Sequence, residues 1–328
     1  MPPEAAREAA SEAASKAVVA ARRAVVAKLR RVIANNGLNG AWTPASDLIP
    51  IESGTDAEFV AALRLAVAAY HPHSRLVREA AWHADNRGSE AERRLRRPPD
   101  FRWLAKPRIG VIKLFTYVNA NGEGWDTRPA HTVDATRKML DGWLAEGAAT
   151  KARGVIVDLR AHEGGNFRVA LHALGGHLLR GRATFAWVDR EGRDTPTVYD
   201  GEKERTSGRG GKGKGKGKGK GKGKGKDVHS VSGGVRVAVL VGPKTSSSGE
   251  FTAALFKGKA GARLFGAPTE GSLSANAEYE LSGGLSVNLT TDLVRTSDGV
   301  LQKDERLLPD VVTGRPMAAA VAWLRGAT

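Results

Sequence analysis

Three adjacent hydroxyls, Ser246, Ser247 and Ser248, lie in VRVAVLVGPKTSSSGEFTAALFKG, between an apolar run at 235–241 and a stretch of helical composition. A strand that turns through small residues into a helix exposes a hydroxyl beside the helix N-terminus. The partial positive charge and unpaired N–H groups there favour a developing oxyanion. Ser247 has Gly249 two residues later, the spacing a tight nucleophile turn prefers. A serine run before a helix serves equally as a cap or a phosphate-binding loop. A second group, His71-Pro72-His73-Ser74, offers imidazoles whose ordinary pKa suits proton transfer near neutral pH. It reads also as the polar end of a helix, or as a metal pair lacking an identifiable third ligand. The chain has no cysteine, which excludes thiolate catalysis, cysteine-ligated zinc and disulfide stapling.

The elements that must position these groups change character along the chain. Ala, Val and Leu at helical spacing predict one long amphipathic helix over 4–35, ending near Asn35, Asn36 and Gly37, and a second helix over 56–69. The arginine-rich stretch EAERRLRRPP reads as a charged surface segment and linker over 76–107. From Arg108 onward, short apolar runs alternate with helical stretches. IGVIKLF and a helix over 132–149 are followed by GVIVDLR and a helix over 167–179, then by ATFAWVD, VRVAVLV, ARLFGA and YELSGGLSVNLTT. Shorter elements are a strand at VLQ and helices over 250–257 and 318–324. This alternation predicts an α/β fold of βαβ units with parallel strand pairs. The division expected is an N-terminal helical region at 1–75, the linker at 76–107 and a catalytic domain at 108–328.

At 328 residues and 41% hydrophobic, the chain can bury a sizeable core. Its net charge of +16 invites a nucleic-acid reading, but nine of those charges, Arg209 and eight lysines, fall in a glycine-lysine tract at 208–227. The tract has no apolar face, and glycine entropy and lysine repulsion predict a disordered loop inserted between strands. It could tether the chain to nucleic acid or an anionic membrane, or act only as a solubilising loop. The charged N-terminus has no apolar stretch of signal-peptide length, and no run of eighteen apolar residues occurs. A cytoplasmic location is the expectation.

GVIVDLRAHEGGN, with Asp158, Leu159, Arg160, Gly164 and Gly165, resembles the strand, Asp-Leu-Arg and glycine-pair signature of the tail-specific, or carboxyl-terminal processing, serine proteases. TSSSGEFTAAL followed by ARLFGAPTEG resembles that family's nucleophile helix and next strand. GGLSVNLTTDLVRTSDG and LLPDV, with Pro309 and Asp310, resemble its closing segments. The order and spacing are kept over 108–312. The resemblance implies a Clp protease/crotonase-like βαβ core and peptide-bond hydrolysis through an acyl-enzyme on Ser247. It requires no cofactor and no metal. It implies a polypeptide substrate and allows a homo-oligomer. The interval from His73 to Arg108 is too short to hold the PDZ domain that many members carry.

Many members use a lysine after the glycine of the turn that follows the nucleophile, but here Ser272 follows Gly271. A hydroxyl cannot replace a desolvated amine as proton acceptor near neutral pH. Lys257 and Lys259, at the end of the nucleophile helix, are expected to face solvent. The tricorn-core-like branch lacks that lysine and takes its base from an upstream histidine. HPHSRL resembles its His-Ser pair, which implies His73 as base and Ser74 as a possible orienting group. By the same resemblance the oxyanion donors are the amides of Ser248 and Gly165, and a carboxylate near the closing segment, Asp304 or Glu305, assists. Asp158 and Glu250 are expected to be structural, the first in an ion pair or turn, the second as helix N-terminal charge. The rival reading is a catalytically silent binding protein on the same fold.

Overall fold

The computed structural model describes residues 3–40, 48–78, 99–104, 108–116, 138–143, 145, 152, 154–165, 174, 178–179, 185–199, 204–206 and 235–326. The glycine-lysine tract and residues 79–98 lie outside them. The chain divides into two compact units, one of residues 1–87 and 274–292, the other of 88–273 and 293–328.

In the first unit, helices α1 (Pro3–Asn36) and α2 (Asp56–Tyr70) accompany strands β1 (Arg75–Arg78), β10 (Ser274–Ser282) and the greater part of β11 (Leu285–Arg295). The apolar stripes read from the sequence become one core. Val26, Leu29 and Ile33 of α1 and Leu63 and Val67 of α2 pack with Leu281, Val287 and Leu289 of the β10–β11 hairpin. Thr55 and Glu58 close a capping box at the start of α2, the Thr55 amide donating to Glu58 Oε2 at 2.7 Å and the Glu58 amide to Thr55 Oγ1 at 3.3 Å. Buried Arg22 of α1 reaches the same turn and donates to the carbonyls of Ser53 (2.9 Å) and Gly54 (3.0 Å) and to Asp56 Oδ1 (2.8 Å).

The second unit is built on a sheet of order β12-β9-β8-β4-β3-β2. The strands are β2 (Asp100–Leu104), β3 (Ile109–Lys113), β4 (Gly154–Asp158), β8 (Arg236–Val241), β9 (Ala262–Gly266) and β12 (Val311–Val312). All neighbours are parallel except β2, which runs antiparallel to β3. The sequence therefore reads β4 and β8 as unbroken apolar runs because both faces are covered. Val155, Val157, Val237, Val239 and Val241 face one core with Phe251 and Phe256. Ile156, Ala238 and Leu240 face another with Ala320 and Leu324. The helices concerned are α3 (Ser248–Ala254) and α4 (Pro316–Arg325). Strands β5 (Phe185–Val188), β6 (Asp194–Tyr199) and β7 (Glu204–Thr206) form an antiparallel run, and Leu293–Arg295 of β11 pair with β5.

The α/β reading and its parallel pairs hold. The stretch taken as charged surface and linker contains strand at 76–78 and 100–104, because β1 pairs with the distant β11, which no local pattern reveals, and β2 pairs with its sequence neighbour β3.

Candidate active site

Strand β8 is the central feature of the site. Its parallel pairing with β4 sets Asp158 opposite Leu240, so the loops leaving both strands emerge at one edge of the sheet. That is where open parallel sheets gather their functional groups. The loop after β8 is closed by Thr245, whose hydroxyl donates to Leu159 O (3.0 Å) and accepts from Gly242 N (3.0 Å). Ser246 N then donates to His162 O at 3.1 Å, joining the two loops.

Ser247 follows at φ +48° and ψ −113°, one of two non-glycine residues at positive φ among the described residues. A serine held there carries strain of order 1–3 kcal/mol, which surrounding contacts must offset. Ser248 opens α3, and as its first residue it has no intrahelical acceptor for its N–H. Gly249 is required by close approach, since a Cβ there would lie 2.4 Å from the carbonyl oxygen of His162. The glycine pair reaches the same place. Gly164 (φ +124°) would set a Cβ 3.4 Å from that of Ser247, and Gly165 follows at φ +102°. The Gly164 amide donates to His162 Nδ1 at 3.4 Å. Ser247, Ser248, Gly164 and Gly165 are thus brought together.

Glu250 is fully buried, and its role is larger than the helix N-terminal charge expected of it. Oε2 accepts from the amides of Ser247 and Ser272, both at 2.8 Å, and Oε1 accepts from the Gly271 amide (3.0 Å) and from the Thr269 hydroxyl. Burial pushes its carboxyl up to about 7, against those four donors, which favour the charged form. His162 is also buried, and desolvation holds its imidazole down at about 4, so it is neutral at physiological pH.

Ser272 donates its hydroxyl to Glu270 Oε2 at 2.6 Å, and Ser246 donates to the same oxygen at 3.2 Å. None of the residues of that turn, Thr269 to Ser272, is a lysine. Lys257 is engaged with Asp310 and donates to Leu308 O. Lys259 is only 4% exposed, and burial lowers its pKa. The expectation that both lysines face solvent is therefore wrong: the turn that follows α3 packs against the chain instead of projecting from it. Asp158 is paired bidentately with Arg160, at 2.9 and 2.7 Å, in the structural role expected of it.

His73 belongs to the first unit and is nearly buried. Its Nδ1 lies 2.8 Å from Ser274 Oγ, its amide donates to His71 Nδ1 (3.2 Å), and its carbonyl accepts from Asn276 Nδ2 (3.0 Å). Ser74 is not the group on the imidazole. Its hydroxyl donates to Thr290 Oγ1 at 3.1 Å and accepts from the Thr290 amide at 2.9 Å, which corrects the orienting role expected of it. Of the closing carboxylates, Asp304 is exposed. Glu305 is buried at φ +53°, and its carbonyl accepts from Leu273 N at 3.0 Å.

Glu250, His162, Ser274 and Glu270 escaped the sequence reading as site residues. Only Glu250 carried a signal, the Ser-x-x-Glu spacing of a capping box from Ser247.

The model of peptidase family S41 matches residues 108–313. The chain belongs to this family. A nisin-resistance protein of Lactococcus lactis subsp. lactis is 28% identical to this S41 chain over 172 residues, 52% of this chain and 50% of that protein. The chain thus spans about half the length of that relative. Two solved structures share the fold. A lipoprotein from Streptococcus agalactiae aligns at a TM-score of 0.68 and 20% identity, covering 94% of this chain and 97% of that one. The photosystem II D1 C-terminal processing protease aligns at 0.58 and 15%, covering 89% and 93%. The S41 domain has the fold of the C-terminal processing serine peptidases, as the motifs in GVIVDLRAHEGGN and TSSSGEF led one to expect. No helix among the described residues is long and apolar enough to cross a membrane.

Proposed function

We propose that this chain hydrolyses peptide bonds of a polypeptide substrate through an acyl-enzyme on Ser247. The observation that carries the reading is the Ser247 backbone at positive φ at the mouth of α3, with the glycine pair packed against it. In this reaction Ser247 Oγ attacks the scissile carbonyl while His73 Nε2 takes its proton. The amides of Ser248 and Gly165 hold the oxyanion. The proton passes to the leaving amine, and water, deprotonated by the same imidazole, releases the acid. The contact of His73 Nδ1 with Ser274 fits this role: where Nδ1–H donates to Ser274 Oγ, Nε2 is left as the accepting nitrogen. The relative named for nisin resistance makes nisin the first polypeptide to offer as substrate.

The test is labelling with a fluorophosphonate probe, with the adduct located by peptide mass spectrometry. Wild type should label at Ser247, Ser247→Ala should not label, and His73→Ala should label about 10²-fold more slowly or worse. A folded wild type that never labels would sink the proposal. It would favour the second reading, a silent binding protein, which draws on Ser272 standing at the turn where a serine-lysine peptidase places its base. Removal of residues 208–227 distinguishes a tethering role for the glycine-lysine tract. A peptidase keeps its labelling without them, whereas a tethering protein loses binding to nucleic acid or anionic vesicles.

A further inference from the structure

We propose that Glu250 is a positioning residue: its buried carboxylate ties the Ser247 turn to the 269–272 turn and thereby sets the direction in which Ser247 and the Ser248 amide point. The proposal rests on Ser247 being the nucleophile. A carboxylate serving only as helix N-terminal charge does that work at the surface, where it keeps its water. Glu250 is instead fully buried, and only one of its four accepted hydrogen bonds comes from the start of its own helix. The other three come from Thr269, Gly271 and Ser272, about twenty residues onward, and both oxygens are saturated. Such a site holds a fixed constellation, because every donor has one acceptor and no alternative.

The bond from the Ser247 amide fixes the peptide plane between Ser246 and Ser247, and with Ser247 held at φ +48° and ψ −113° that plane sets the direction of its side chain and of the Ser248 N–H. The tie extends further. Thr269 Oγ1, which donates to Glu250, accepts from Leu307 N at 2.8 Å, and Arg306 donates to Glu270 O at 3.0 Å. The 305–307 segment therefore braces the turn that braces the nucleophile. In members with a lysine at position 272 that same turn carries the base. Here it has no base to deliver, and its amides serve to hold Glu250.

The decisive variant is Glu250→Gln, which keeps the volume but turns one acceptor oxygen into a donor facing two donors. Saturation kinetics of fluorophosphonate labelling separate binding of the probe from reaction. The maximal labelling rate should fall about 10²-fold while the half-saturating probe concentration stays within about twofold, as for a misaimed but intact group. Thr269→Val should give a smaller fall, and the double variant should lose no more than Glu250→Gln alone, since both act through one carboxylate. If Glu250→Gln does not fold, Thr269→Val carries the test by itself. Wild-type kinetics in Thr269→Val, or in Glu250→Gln, would overturn the proposal, and so would a loss shared equally between rate and probe affinity. Amide hydrogen exchange by NMR separates failure of the proposal from failure of the peptidase reading. A wild type that never labels, with protection lost in Glu250→Gln only around residues 247, 271 and 272, upholds the tie and rejects the nucleophile. Unchanged protection at those amides rejects the tie.

Discussion

His73 Nδ1 and Ser274 Oγ lie 2.8 Å apart, although 201 residues separate them in the chain. If this contact selects the Nδ1–H tautomer, Ser274→Ala should slow fluorophosphonate labelling by about tenfold or more, a share of what a general base supplies. Ser74→Ala should slow it less. That substitution removes the hydroxyl that accepts the Thr290 amide, and it should appear as about 1–3 kcal/mol of lost stability in urea unfolding.

Two buried groups beneath the Ser247 turn oppose each other in their response to acid. The His162 imidazole is depressed to about 4, so between pH 6.5 and 4 only the unfolded chain takes up that proton, and the fold loses stability as pH falls. The Glu250 carboxyl is raised to about 7, so between pH 7 and 4.5 the folded chain takes up its proton first, and stability rises as pH falls. The two effects have opposite sign. Thermal unfolding of His162→Asn should therefore show stability rising on acidification from pH 7 to 5, and Glu250→Gln should show it falling. Parallel pH profiles in the two variants would contradict this assignment.

Gly249→Ala should be costly out of proportion to one methyl group. The Cβ would meet the His162 carbonyl oxygen at 2.4 Å, and that carbonyl already accepts from Ser246 N. Either the helix start or the glycine-pair loop must shift, at about 1–3 kcal/mol. Urea midpoints and labelling rate should fall together.

Arg22→Ala should destabilise the first unit through hydrogen bonding and not through surface charge. The buried guanidinium satisfies the carbonyls of Ser53 and Gly54 and pairs with Asp56, and its removal strands acceptors at the start of α2. A loss of about 2 kcal/mol in chemical unfolding is expected, and it should persist in 0.5 M salt, where an exposed ion pair would be screened.

The amino-acid sequence by itself determined the local features. Helical periodicity marked α1 and α2, unbroken apolar runs marked β3, β4 and β8, and the small-residue turn before α3 marked Ser247. These were legible because each depends on residues within a few positions of one another, and because strands covered on both faces need no alternation. Tertiary structure alone decided which side chains meet. Ser274, and not the adjacent Ser74, reaches the His73 imidazole through the pairing of β1 with β11 and the β10–β11 hairpin. Glu250 gathers the 269–272 turn because β9 lies parallel beside β8 and returns the chain to the mouth of α3. Lys259 is buried because the turn after α3 packs inward. Such pairings arise from strand register and close packing, which sum over the whole chain and leave no trace in any short stretch of it.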